Sequence, residues 1–258
     1  MLARLISFAV LALALTSCAT DVRTDPDTGV AKIAFQDAAL NPRNGGMAID
    51  AAALQPGDIL LSASDGMTSA GIRLMTSSPV SHASIYVGDS QIAEAVGEGI
   101  QRRSVAALLD EESNVVAFRH PGLLPEHARK MESFVRRHVG EKYNYVGVML
   151  QAPFSIERRV CELPVVPSPL RDFCIQGVAA VQLGPTGRND QFFCSQFVLE
   201  AYRQAGLPLT DADPRLISPG DLLHMREGDV PSIAATQPLR YVGHLKYNPP
   251  PLLAADGP

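Results

Sequence analysis

The chain has 258 residues, a formal net charge of −5, 46% hydrophobic residues and no tryptophan. That hydrophobic share suits an ordinary globular core. No basic run and no internal repeat occurs, which leaves nucleic-acid binding and polybasic lipid targeting without support.

The first element is not part of a fold. After Met1 and one cation, Arg4, the stretch Leu5 to Leu15 is almost wholly apolar, and the small residues Thr16 and Ser17 precede Cys18. This is the layout of a cleaved export signal. About ten apolar residues are half of the ~20 that a spanning helix needs. The string Leu15-Thr16-Ser17-Cys18 resembles the bacterial lipobox. The resemblance implies that residues 1–17 are removed and that Cys18 is lipidated on sulfur and becomes the new N-terminus. Acyl chains contribute roughly 0.8 kcal/mol per buried methylene, so several chains anchor stably. The expected partner is therefore a membrane of the bacterial cell envelope. Ala19 carries no inner-membrane retention signal, so the outer membrane, facing the periplasm, is the expected location. The remaining 241 residues suit one large domain.

Residues 18–53 read as anchor and tether, because Asp25-Pro26-Asp27 and Asn41-Pro42-Arg43-Asn44 break any periodicity. A folded domain is expected over residues 54–247. Pro56-Gly57-Asp58 forms a turn and Ile59-Leu60-Leu61 begins a strand. Ser69 to Met75 reads as a short helix. Ser81 to Val87 and Gln91 to Val96 are strands joined by the turn Gly88-Asp89-Ser90, a β-hairpin. Val115 to Arg119 is a further strand. Glu126 to Val139 is a helix with Met131, Phe134 and Val135 on one face. The Pro-rich stretch 150–190 reads as a long insertion or loop, Gln191 to Gln204 as a helix, and 248–258 as a Pro-rich tail.

Four cysteines divide by place. Cys18 belongs to the anchor. Cys161 and Cys174 lie thirteen positions apart, and an oxidising envelope would allow them to pair. Cys194 is then the leftover thiol, a candidate reactive group in an exported protein; a buried inert cysteine is the bland alternative. Cys194 falls at the first turn of a helix whose apolar stripe is Phe193, Phe197, Val198 and Ala201. Unpaired N–H groups and partial positive charge there favour thiolate and can receive an oxyanion.

A nucleophilic thiol needs a base. Of six histidines, His127 and His138 fall on a polar helix, His120 precedes a Pro-Gly turn, and His224 and His244 lack a distinctive setting. His82 begins an apolar strand, where packing can hold an imidazole as a general base. Taken alone, such a histidine is more often structural. Glu94 is the only carboxylate of its strand, flanked by Ala93 and Ala95. If the hairpin turns through an odd-numbered loop near Asp89, the even-numbered residues share a face and His82 meets Glu94. A slip of one residue would separate them. Cys194, His82 and Glu94 are thus a possible nucleophile, base and orienter.

The order of short motifs adds a resemblance. Pro56-Gly57-Asp58-Ile59-Leu60, Ser81-His82-Ala83-Ser84-Ile85-Tyr86-Val87-Gly88, Glu94-Ala95-Val96 and Phe193-Cys194-Ser195-Gln196-Phe197-Val198 follow one another in the chain. Together they resemble the circularly permuted NlpC-type papain-like hydrolases, YiiX-like branch, distant relatives of lecithin retinol acyltransferase. In that branch the His-bearing sheet comes first and the Cys helix last. Lys142-Tyr143-Asn144-Tyr145 is similar to the family's Tyr-Asp-Tyr segment, with Asn144 in place of Asp, and Ile217 to Leu222 to its segment after the Cys helix. The match covers roughly residues 54–225. It implies Cys194 as nucleophile, His82 as base and Glu94 as third polar residue, with Tyr86 or Tyr143 as substrate-lining or core aromatics. Gln196, where the family has an acidic residue, and the long 151–190 stretch depart from the pattern.

The expected fold is α+β: a permuted papain-like domain with a small antiparallel sheet or partial barrel packed against the Cys194 helix. The expected activity is that of a cysteine hydrolase (a peptidase or amidase) on amide bonds. Its substrate would be a cell-wall peptide or an acyl-amide, with no cofactor and no metal. A non-catalytic binding lipoprotein and a lipid acyltransferase are the alternatives. Metal binding lacks a Cys-x-x-Cys or His-x-x-x-His spacing.

Overall fold

The computed structural model describes residues 20–24, 29–35, 46–76, 78–144, isolated positions from 154 to 166, residues 168–183, 192–226, 230 and 232–247. The expected signal residues 1–17, the expected lipid-anchored Cys18 and the expected tail 248–258 lie outside them. In chain order the elements are β1 (Thr20–Thr24), β2 (Ala31–Phe35), β3 (Ile59–Ala63), α1 (Met67–Thr76), β4 (His82–Gly88), β5 (Gln91–Val96), β6 (Gly99–Ser104), α2 (Val105–Glu111), β7 (Asn114–Arg119), α3 (Pro125–His138), α4 (Ser168–Leu183), α5 (Cys194–Gln204), α6 (Pro219–His224) and β8 (Arg240–Tyr247). The architecture is α+β. Six antiparallel strands form one open sheet in the order β6-β5-β4-β3-β7-β8.

Alternation along the strands feeds two cores. Ile59, Leu61, Ala83, Ile85, Ala93, Val116 and Phe118 face α3 and α5 and pack with Phe134, Val135, Phe197, Val198 and Tyr202. Leu60, Tyr86, Ile92, Val115 and Ala117 fill the other face with Leu54 and with Val105 and Leu108 of α2. The Pro56-Gly57-Asp58 turn is fastened to both layers. Asp58 is fully buried, accepts from Gln55 N at 2.8 Å and pairs with Arg119 Nε at 2.6 Å and Nη2 at 2.7 Å. The Tyr202 hydroxyl donates to the Gly57 carbonyl.

Three expectations about the boundaries need correction. The tether is not wholly irregular, since β1 and β2 pair antiparallel from Thr20↔Phe35 to Thr24↔Ala31. The domain begins before Leu54: Ala48 bridges His244 in β8, Ile49 N donates to His244 O at 2.9 Å, and Ile49 and Ala51 pack on the second core. Gly243 permits this approach, because a Cβ there would lie 2.5 Å from Ile49 Cγ2 and 2.9 Å from Met47 O. Finally, the expected loop at 150–190 contains the sixteen-residue helix α4. A disulfide joins Cys161 to Cys174 across that stretch. Arg158 pins the stretch to the domain, where its buried guanidinium meets both oxygens of Asp221 and lies 3.6 Å from Glu162. Asp221 in turn closes a capping box with Ser218 at the start of α6.

Candidate active site

The hairpin decides whether His82 and Glu94 can meet. Asp89 and Ser90 both have positive φ, 52° and 56°, the left-handed pair of a two-residue hairpin turn. Such a turn pairs Gly88 with Gln91, an even with an odd residue, and on its own would send His82 and Glu94 to opposite faces. A bulge between Tyr86 and Gly88 adds one residue to β4. Beyond it Tyr86 pairs with Ile92 and Ile85 with Ala93, so even again faces even. The expected loop of odd length is therefore a two-residue turn plus a one-residue bulge, with the same parity.

His82 opens β4, and its Nε2 lies 2.7 Å from Glu94 Oε2. Glu94 is fully buried. Its other oxygen, Oε1, sits 2.6 Å from Arg103 Nε and 3.4 Å from Gln101 Nε2, both on β6. Burial alone would raise the Glu94 carboxyl; the hydrogen bond and charge of His82, then Arg103 and Gln101, outweigh it and hold it below the usual carboxylate range. Burial alone would lower the imidazole. Hydrogen bonds to Cys194 and Glu94 and the charges of both outweigh it and push His82 up to about 10. The ring thus stands between a thiol and a carboxylate. With Nε2 taken by Glu94, Nδ1 is the polar atom left for the sulfur.

Cys194 is the first residue of α5 and is 7% exposed. Its place follows from packing: Phe197 and Val198 lock the helix onto β4 and α3, and Phe193 just ahead of it is buried. Ser195 Oγ donates to Ile217 O at 2.6 Å and holds the same turn from below. The N-cap residue, Phe193, makes no side-chain capping hydrogen bond, and the first intrahelical bond in this turn is Phe197 N to Phe193 O at 2.9 Å. The N–H groups of the first turn therefore point out of the helix without an intrahelical acceptor.

The three residues border one cleft of about 650 Å³, together with Tyr143, Gln101, Arg103, Glu112 and the α1 residues Thr68, Ser69 and Ile72. Tyr143 reaches it because residue 143 bridges Phe192 and Asn144 N donates to Phe192 O at 3.0 Å, just ahead of Cys194. The Glu112 carboxyl is raised, chiefly by burial. Tyr86, the other candidate aromatic, is not on this cleft. It is 7% exposed, packs in the second core and accepts from Ser90 N at 3.2 Å, so it is a core residue that braces the hairpin turn. No histidine besides His82 lines the cleft. Among the described residues no three His, Cys, Asp or Glu side chains are grouped to hold a metal ion, and no helix is long and apolar enough to cross a membrane.

Arg103 and Gln101 were absent from the sequence-based site. Their signal was the hairpin Val96-Gly97-Glu98-Gly99, in which Val96 pairs with Gly99 and the register places Gln101 opposite Glu94. Recognising that turn would have put a cation beside the buried carboxylate.

No model of a known protein family matches the chain. A solved structure, the metalloprotein YiiX of Escherichia coli O157:H7, aligns with 75% of this chain and 98% of its own at 18% identity and a TM-score of 0.43. A curated protein of Escherichia coli K12, the probable lipoprotein peptidase YaeF, is 41% identical over 200 residues, which span 77% of this chain and 73% of YaeF. The chain belongs to the family of YaeF.

Proposed function

We propose that this chain is a lipid-anchored cysteine hydrolase of the bacterial envelope, cleaving amide bonds through an acyl-thioester. The observation that carries the reading is His82 held 2.7 Å from the buried Glu94 on the cleft that Cys194 also borders. Cys194 Sγ attacks the substrate carbonyl carbon as its proton passes to His82. The oxyanion forms beside the N–H groups at the start of α5, which have no intrahelical acceptor and stabilise it. Collapse breaks the C–N bond, His82 gives its proton to the leaving amine, and the acyl group stays on sulfur. Water, deprotonated by His82, then releases the carboxylic acid and restores the thiol. Glu94 holds the ring and its charge throughout; Arg103 and Gln101 hold Glu94.

The name of YaeF supports a lipoprotein peptidase. The order of His strand first and Cys helix last supports the permuted NlpC-type reading and the distant link to lecithin retinol acyltransferase. The lipobox-like string at Cys18 supports an acyl anchor on the outer membrane, facing the periplasm. The substrate is a peptidoglycan peptide or an acyl-amide.

The test is the alkylation rate of Cys194 by iodoacetamide against pH, followed by peptide mapping, in the parent and His82→Ala. Fast labelling at pH 6 that drops at least roughly tenfold in His82→Ala is expected for a thiol activated by its base. Equally slow labelling in both proteins overturns the catalytic reading and leaves a binding lipoprotein.

A further inference from the structure

Helix α1 presents its apolar side to the solvent. Met67 is 94% exposed and Leu74 80% exposed, and Ala70 and Gly71 between them are also exposed. These four positions follow the i, i+3, i+4, i+7 spacing of one helical stripe. A Cβ built on Gly71 would meet nothing within 4 Å, so no described residue covers the stripe. Thr68, Ser69 and Ile72 of the same helix border the cleft that holds Cys194 and His82. Ser69 fixes the helix there: its hydroxyl accepts from Ser64 N at 3.2 Å and lies 2.7 Å from the hydroxyl of Ser81, the residue before His82.

The route from the anchor limits how far this stripe can stand from a bilayer. Thr20 pairs with Phe35, so the chain between them returns on itself and adds only one strand spacing to the path. The path takes two residue steps from Cys18 to Thr20 and eleven from Phe35 to Gly46, which lies against Tyr241 and His244 of β8. Thirteen steps at 3.3–3.6 Å each plus one strand spacing of ~5 Å span at most roughly 50 Å. With both acyl anchor and domain on so short a path, an apolar stripe meets the bilayer at high effective concentration.

We propose that α1 docks on the lipid surface, with Met67, Ala70, Gly71 and Leu74 inserted at the headgroup boundary and the mouth of the Cys194 cleft turned toward the membrane. The inference rests on the acyl anchor proposed for Cys18 and not on the chemistry proposed for Cys194. An amphipathic helix of this kind lies in the interface plane about 5–10 Å deep.

The chain has no tryptophan, so one introduced indole reports alone. The full-length protein carrying Leu74→Trp is reconstituted in phosphatidylethanolamine and phosphatidylglycerol vesicles with brominated acyl chains. Glu126→Trp is the control. It is exposed at the start of α3, which borders Pro56 at the opposite end of the sheet from α1. Mass spectrometry of the N-terminal peptide reads acylation of Cys18 separately. The expected result is a blue-shifted Leu74→Trp emission, quenched roughly threefold or more relative to Glu126→Trp. Water-exposed, unquenched emission from Leu74→Trp in acylated protein overturns the docking. A blue shift without bromine quenching that grows with protein concentration overturns it too, and assigns the stripe to a second copy of the chain. An N-terminal peptide lacking acyl chains removes the anchor on which the inference stands.

Discussion

Replacing Glu94 by glutamine tests the buried charge arrangement most directly. The carboxylate is fully buried between His82 Nε2 at 2.7 Å and Arg103 Nε at 2.6 Å. The amide oxygen keeps a hydrogen-bond acceptor for the ring but removes the negative charge, leaving two cations facing one another. Breaking a buried pair on one side costs about 3–5 kcal/mol, and the lower end applies because Arg103 retains the more exposed Glu111. The expected loss is therefore about 3 kcal/mol near pH 6.5. Its pH dependence carries a sign. His82 is raised in the folded state to about 10, so its stabilisation is complete below its unfolded value of ~6.5 and is lost as pH rises through about 10. Glu94 is lowered, so its stabilisation is present above its unfolded value and is lost as pH falls through the folded one. The gap between parent and Glu94→Gln should be widest around pH 5–6.5 and narrow toward pH 10, with the Arg103 share remaining. Urea unfolding followed by far-UV circular dichroism at pH 6 and pH 10, without reductant, measures it. A gap that is the same at both values would refute the imidazolium–carboxylate pair, and no gap at either would refute the buried ion pair altogether.

Two further substitutions probe the 150–190 stretch. Arg158→Ala leaves the buried Asp221 without its bidentate partner, and a loss of about 3–5 kcal/mol in urea unfolding is expected; a change under 1 kcal/mol would mean that Asp221 is satisfied by Ser218 alone. Cys161→Ser with Cys174→Ser opens a thirteen-residue loop, for which the loop-entropy relation gives about 3 kcal/mol. The same substitutions should leave the iodoacetamide rate at Cys194 unchanged, since neither cysteine borders the cleft; a slowed rate would couple the stretch to the site.

Much of the domain was readable from local pattern. Apolar composition between turn formers found β3, β4, β5 and β7, and helical spacing found α3 and α5, because these elements bury apolar faces against the two cores. Among the elements that escaped, β6, β8 and α4 show why. β6 reads Gly-Ile-Gln-Arg-Arg-Ser and lies at the sheet edge with only its first two residues buried, so no apolar alternation marks it. β8 carries Tyr, Gly, His and Lys amid Pro-rich sequence, and its strand identity comes from pairing with β7. Helix α4 is held by a disulfide on a stretch whose prolines suggest a loop.

The residue types at the candidate site, a cysteine at a helix start, a histidine opening a strand and a lone carboxylate on the return strand, were determined by the sequence alone. Whether they meet was decided by tertiary structure. Side chains alternate along a strand with a period of two, so a single extra residue reverses which face every later residue occupies. Here the two-residue turn at Asp89-Ser90 sets one parity and the bulge between Tyr86 and Gly88 restores the other. Tyr86 and Ile92 packing on one face and Ile85 and Ala93 on the other hold that register. Arg103 became Glu94's cation by the same means, through strand pairing across β6 rather than through any neighbour in the chain.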